Sequence, residues 1–151
     1  KMEAFGRTGS KNHAMIARFV AAGTHLDRNE KDKALAIYDE IAGTYGIDKI
    51  WRDLARVLSI SLRFEKNSPE KLGKELDGLA GDSNAWRYTA REMQALLAAR
   101  QGQTKKAVDV LTKITADPLA PADARSRAFT LRELYAADSK NGDAKKPSSK
   151  T

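Results

Sequence analysis

Apolar residues recur along this chain at intervals of three and four from about residue 12 to residue 137, the spacing of one helix face. No stretch alternates apolar and polar positions long enough to predict a strand. Helices are predicted over 12–27, 31–44, 48–65, 69–80, 84–101, 104–116 and 121–137, so the expected fold class is all-α. The punctuation agrees. Pro69, Pro118 and Pro121 stand at predicted borders, and Ser68-Pro69-Glu70 reads as an N-cap followed by proline at the first helical position. Asp82-Ser83-Asn84 offers caps for the helix carrying Trp86, and Asp27-Arg28-Asn29 and Gly102 break longer runs. The short connections favour antiparallel neighbours. Residues 1–11, with Phe5, read as a lead-in segment, and residues 138–151, without a large apolar side chain, as a flexible polar tail.

The helices repeat. Trp51-Arg52-Asp53-Leu54-Ala55-Arg56 returns 35 residues later as Trp86-Arg87-Tyr88-Thr89-Ala90-Arg91. The Ala-Arg pair also stands at Ala17-Arg18 and Ala124-Arg125, giving spacings of 38, 35 and 34. Counting 17, 21 and 24 residues on from the first three alanines reaches Ala34, Tyr38 and Ile41, then Leu72, Leu76 and Leu79, then Ala107, Leu111 and Ile114. All nine are apolar or aromatic and trace one face of a second helix. They are expected to pack the repeats, together with Trp51 and Trp86, which recur once per unit and would wedge between neighbours.

A period of this length built from two helices resembles the tetratricopeptide class, in which stacked pairs bury faces that no single pair can bury. Gly102, five residues before Ala107, matches the turn of that class. The expected architecture is three helix pairs plus a terminal helix within residues 12–137. The pattern departs from the class where Arg18, Arg56 and Arg91 replace an aromatic and Leu72 replaces alanine.

Over the same span the chain resembles a narrower family, the ancillary subunit of the Sec translocon and its alphaproteobacterial relatives. The resemblance lies in Trp51-Arg52-Asp53-Leu54-Ala55-Arg56, in Asn84-Ala85-Trp86-Arg87 with Ala90-Arg91-Glu92, in Gly102 with Ala107 and Leu111, and in Asp117-Pro118 before Ala124 and Arg125. It implies a bacterial, membrane-anchored protein with a periplasmic repeat domain. Its implied partners are translocon subunits, exported proteins or periplasmic chaperones, and it implies no catalytic residue. The family's membrane helix is absent from this chain and is expected ahead of Lys1. A soluble adaptor or assembly subunit without a translocon link is the alternative.

Charge adds little. Of 27 Lys/Arg and 20 Asp/Glu, residues 14–137 hold 20 and 17, so the excess sits largely in the two ends. Without a basic stripe interleaved with aromatics, no nucleic-acid partner is expected. The chain has no cysteine, which excludes a disulfide scaffold and a Cys-based zinc site.

Candidate chemistry is sparse. His13 and His25 show no metal-ligating spacing and read as surface or helix-end histidines. Gly6-Arg7-Thr8-Gly9-Ser10-Lys11 lacks the phosphate-loop spacing. Arg18, Arg52, Arg56, Arg87, Arg91 and Arg125 are expected to pair between helices with carboxylates. No cofactor, metal or enzymatic activity is expected. The function expected is protein–protein interaction. Relative to the reference alanines, positions −1, +2, +6 and +9 of the first helices form a second apolar face, and from it Ile16, Phe19, Leu26, Leu54, Val57, Phe64 and Leu96 are the candidate groove for an apolar peptide.

Overall fold

The structure is a computed structural model, which describes the backbone of residues 2–144 and the side chains of residues 13–138. Among the described residues it is entirely helical: α1 (Met2–Asp27), α2 (Lys31–Gly43), α3 (Lys49–Arg63), α4 (Pro69–Asp77), α5 (Arg87–Arg100), α6 (Thr104–Ala116) and α7 (Ala122–Ala144). The helices pack in adjacent pairs in a tetratricopeptide-like arrangement. Two compact units result, Lys1–Asn67 with α1 to α3 and Ser68–Thr151 with α4 to α7. The division falls inside the second predicted pair: α3 packs on α2, and α4 on α5.

Local chemistry explains the borders. Ser68 Oγ accepts from the Lys71 backbone N–H at 3.3 Å with Pro69 in the first turn, as the sequence predicts. Asn29 adopts φ 60° and Gly102 φ 73°, and each lies five residues before the small residue of the following helix. This left-handed residue lets the next N–H reach back to the helix just ended: Glu30 N to His25 O at 2.8 Å, and Gln103 N to Ala98 O at 2.9 Å. Asn29 therefore does in the first repeat what glycine does in the third.

Four borders differ from expectation by three residues or more. α1 starts at Met2, not near residue 12, because residues 2–11 contain no proline to stop the helix. α7 runs to Ala144, because a solvated polar stretch without proline can extend a helix that has nothing further to bury. α4 ends at Asp77, where Gly78 closes it. α5 begins at Arg87, because Asn84 Oδ1 accepts from the Trp86 N–H at 2.8 Å and holds residues 84–86 in a turn. Trp86 is thus the residue before the helix. The side chains of residues 1–12, including Phe5 and the Gly6–Lys11 motif, and residues 145–151 of the polar tail lie outside the described residues.

The first unit's core gathers Met15, Ala22, Ala34, Tyr38, Ile41 and Ala55, with Phe19, Leu26 and Trp51 packed against it. The Phe19 ring lies 6.0 Å from that of Tyr38 and 6.1 Å from that of Trp51. The second unit's core gathers Tyr88, Ala95, Ala98, Ala107, Leu111, Ile114, Ala120, Ala124 and Ala128. All nine positions of the second-helix repeat pattern are buried. Position −2 from the reference alanine is buried in each of the first three repeats, as Met15, Asp53 and Tyr88, and so is position +5, as Ala22, Ile60 and Ala95. The reference alanine itself is buried as Ala55, Ala90 and Ala124, while Ala17 is exposed.

The arginines take mixed roles. Arg18 reaches Glu40 between α1 and α2 at 3.2 Å, the inter-helix pairing expected. Arg56 instead pairs within its own helix with the buried Asp53, which Lys49 also contacts. Arg91 pairs with the Asp82 carboxylate at 2.5 Å and also binds the Ala80 carbonyl at 3.0 Å, and Arg125 binds the Ala120 carbonyl at 2.6 Å. Arg87 lies over the Tyr88 ring at 4.3 Å, and the Arg52 Nε is buried without a hydrogen-bond partner. Carbonyls of the connecting turns compete with carboxylates for these guanidinium groups.

Candidate partner-binding site

The seven predicted groove residues divide. Phe19 and Leu26 pack against the first unit's core. Val57 is buried at 5% exposure. Leu54, Phe64 and Leu96 are half-buried, and Ile16 is 49% exposed. A helical wheel identifies two apolar faces but not which one the fold covers, and in α3 the covered arc is wide enough to include Val57. Of the seven, Ile16 is the one on the open surface.

Two of the depressions that the seven do not line carry apolar walls. The first, about 180 Å3, lies in the first unit between α1 and the turn after α2. Ala14, Met15 and Ile47 supply apolar walls, with Thr44, Gly46, Tyr45 and Arg18 around them. Tyr45 is 99% exposed, its ring entirely in water. Gly46, at φ 82°, turns the chain so that Ile47 points back to the core while Tyr45 does not. An aromatic ring held out beside an apolar recess is a ready anchor: the recess takes an apolar side chain, the ring covers it, and the phenol stays wet. Arg18, tied to Glu40, adds a cation for a carbonyl or carboxylate. The sequence signal was an aromatic between two glycines, Gly43 at the end of α2 and Gly46 in the turn, which the repeat pattern passes over.

The second depression is a cleft of about 380 Å3 within the second unit, walled by α4, α5 and α6. Gly73, Leu97, Ala98 and Val110 contribute apolar surface. Glu70, Asp77, Lys74 and Lys106 supply charges of both signs, and Gln94, Gln101 and Gln103 supply amides. Gln94 Nε2 donates to Asp77 Oδ1 at 2.7 Å.

Titratable groups are held by hydrogen bonds at turns. The Lys33 ammonium, and after it the His25 ring, hold the Glu30 carboxyl below its ordinary value. His25 Nδ1 sits 2.5 Å from Glu30 Oε2 at the end of α1. The Leu119 N–H and the Tyr88 hydroxyl hold the Asp117 carboxyl below its ordinary value. Among the described residues no group of three or more His, Cys, Asp or Glu could hold a metal ion, and no helix is long and apolar enough to cross a membrane.

Compared with protein-family models, with curated proteins and with solved structures, the chain matches none.

Proposed function

We propose that this protein is an interaction module, the periplasmic domain of a membrane-anchored bacterial factor that captures apolar side chains of other polypeptides beside the Sec translocon or with periplasmic chaperones. The fully exposed Tyr45 at the lip of the apolar recess carries the interaction reading. A ring left in water forfeits its burial free energy, about 1.5–3 kcal/mol for a large apolar side chain, and a docked partner recovers part of it. The placement beside the translocon rests on the resemblance of the two Trp-Arg elements, Trp51-Arg52 and Trp86-Arg87, and their surroundings.

Photocrosslinking tests both parts. A photoreactive phenylalanine at position 45 of the full-length protein, irradiated in intact cells, should capture translocon subunits, exported proteins or periplasmic chaperones, identified by mass spectrometry. Adducts confined to other proteins would remove the translocon placement and leave the interaction. No adduct at position 45, against a control at exposed Ser61, would remove the interaction reading.

A further inference from the structure

Positions 0, +3, +4 and +7 from the reference alanine form one stripe along a helix. In α3 these are Ala55, Leu58, Ser59 and Leu62, and all are buried or half-buried. In α5 the equivalents, Ala90 to Leu97, are likewise covered. The stripe meets the second helix of the preceding repeat: Ala55 joins the cluster of Ala34, Tyr38 and Ile41 from α2. In α1 the same positions are Ala17, Val20, Ala21 and Thr24, and all four are exposed, Val20 at 63%. Exposed Ile16 flanks them. Repeat proteins finish in a helix whose outer face is polar, because that face meets water. This stripe carries no charge and has the composition of a covered face.

We propose that the stripe is a homodimer interface, in which two copies of the chain pack their α1 helices antiparallel about a two-fold axis at Val20. The stripe is complementary to itself. Rotation about Val20 sets His13 of one copy opposite Asp27 of the other, an imidazole against a carboxylate, once at each end of the contact. Ile16 falls opposite Thr24, and only small or aliphatic side chains lie between. Such a contact covers both open faces at once and closes. A head-to-tail contact with α7 lacks that match: its exposed residues mix Phe129 and Leu134 with Ser126, Arg127, Thr130 and Glu133, and the uncharged stripe of α1 offers the charged groups nothing in exchange for lost water.

Sedimentation equilibrium across micromolar to submillimolar concentrations tests this. The expected result is a monomer–dimer equilibrium whose limiting mass is twice the 16.6 kDa of the chain. Val20→Asp should raise the dissociation constant about tenfold or more while leaving the helical circular dichroism, and the melting curve at concentrations where both proteins are monomeric, unchanged, because the side chain is exposed in the monomer. The chain has no cysteine, so Val20→Cys gives an independent reading. Mild oxidation should link it into a disulfide dimer, whereas Ser61→Cys on the exposed side of α3 should form no disulfide-linked dimer. A monomer at every concentration, a dimer indifferent to Val20→Asp, or assemblies beyond the dimer would overturn the proposal. Should Val20→Asp fail to fold, the cysteine pair decides it alone.

Discussion

The Tyr88 hydroxyl donates to Asp117 Oδ2 at 2.8 Å, tying the first turn of α5 to the turn between α6 and α7 across 29 residues. The same carboxylate accepts from the Leu119 N–H at 2.9 Å, and Arg87 donates to the Tyr88 hydroxyl at 3.0 Å. Tyr88 is buried, so its hydroxyl needs a partner. Tyr88→Phe should cost about 1 kcal/mol, read by urea denaturation.

The same contact predicts an acid response. Because the folded protein lowers the Asp117 pKa, the carboxylate's contribution is fully present above its ordinary value and is lost as pH falls through the lowered one. The stability curve should therefore decline below about pH 4. Asp117→Asn should flatten part of that decline, and Tyr88→Phe a smaller part, since the Leu119 N–H is the larger cause. Urea midpoints measured from pH 2 to pH 7 give both slopes.

Asn29 and Gly102 occupy the same left-handed position in two repeats. Gly102→Ala should destabilise the protein by about 1–2 kcal/mol, although its new Cβ would meet no atom within 4 Å; the cost is in the backbone alone. Asn29→Gly should change stability by only a few tenths of a kcal/mol. Equal losses at both sites, or none at Gly102, would show that the turns are held by contacts rather than by dihedral preference.

Periodicity made most of this fold legible. The nine second-helix positions were read from spacing alone, and each is buried, because a face that must pack against both neighbours leaves a strong period in the sequence. Ser68-Pro69 and Gly102 were legible because their mechanisms are local. The two depressions were not, because each forms where separate elements meet: Tyr45 beside Ala14 and Met15, Gly73 beside Leu97 and Val110. Ala17 matched its counterparts in sequence but not in environment, since no earlier helix of this chain covers it among the described residues. Trp86 shows a smaller failure, a helix start displaced by one side chain, Asn84, capping a turn.

Burial separates the candidate groove residues from one another. Ile41 is fully buried, and Ile41→Ala should cost about 2–5 kcal/mol. Val57→Asp and Phe19→Asp should unfold the first unit, because each places a charge against packed side chains. Ile16→Asp should leave the melting curve nearly unchanged, since half of that side chain is already in water. Circular dichroism melts of the three aspartate variants check the order. A stable Val57→Asp protein would mean that α3 can turn this face outward.

Gly73 sits inside the nine residues of α4 and contributes to the cleft of the second unit. A glycine in a helix interior costs about 1 kcal/mol relative to alanine. A Cβ built there would meet Leu97 Cδ2 at 3.9 Å, an ordinary van der Waals distance, with no backbone atom in the way. Gly73→Ala should therefore raise the stability of the second unit by about 0.5–1 kcal/mol, from the restricted unfolded chain and the better helix former, while the added methyl narrows the cleft. Urea denaturation checks the sign. A loss would mean that Leu97, itself buried, cannot tolerate the contact, and a second variant, Gly73→Ala with Leu97→Val, would then recover it.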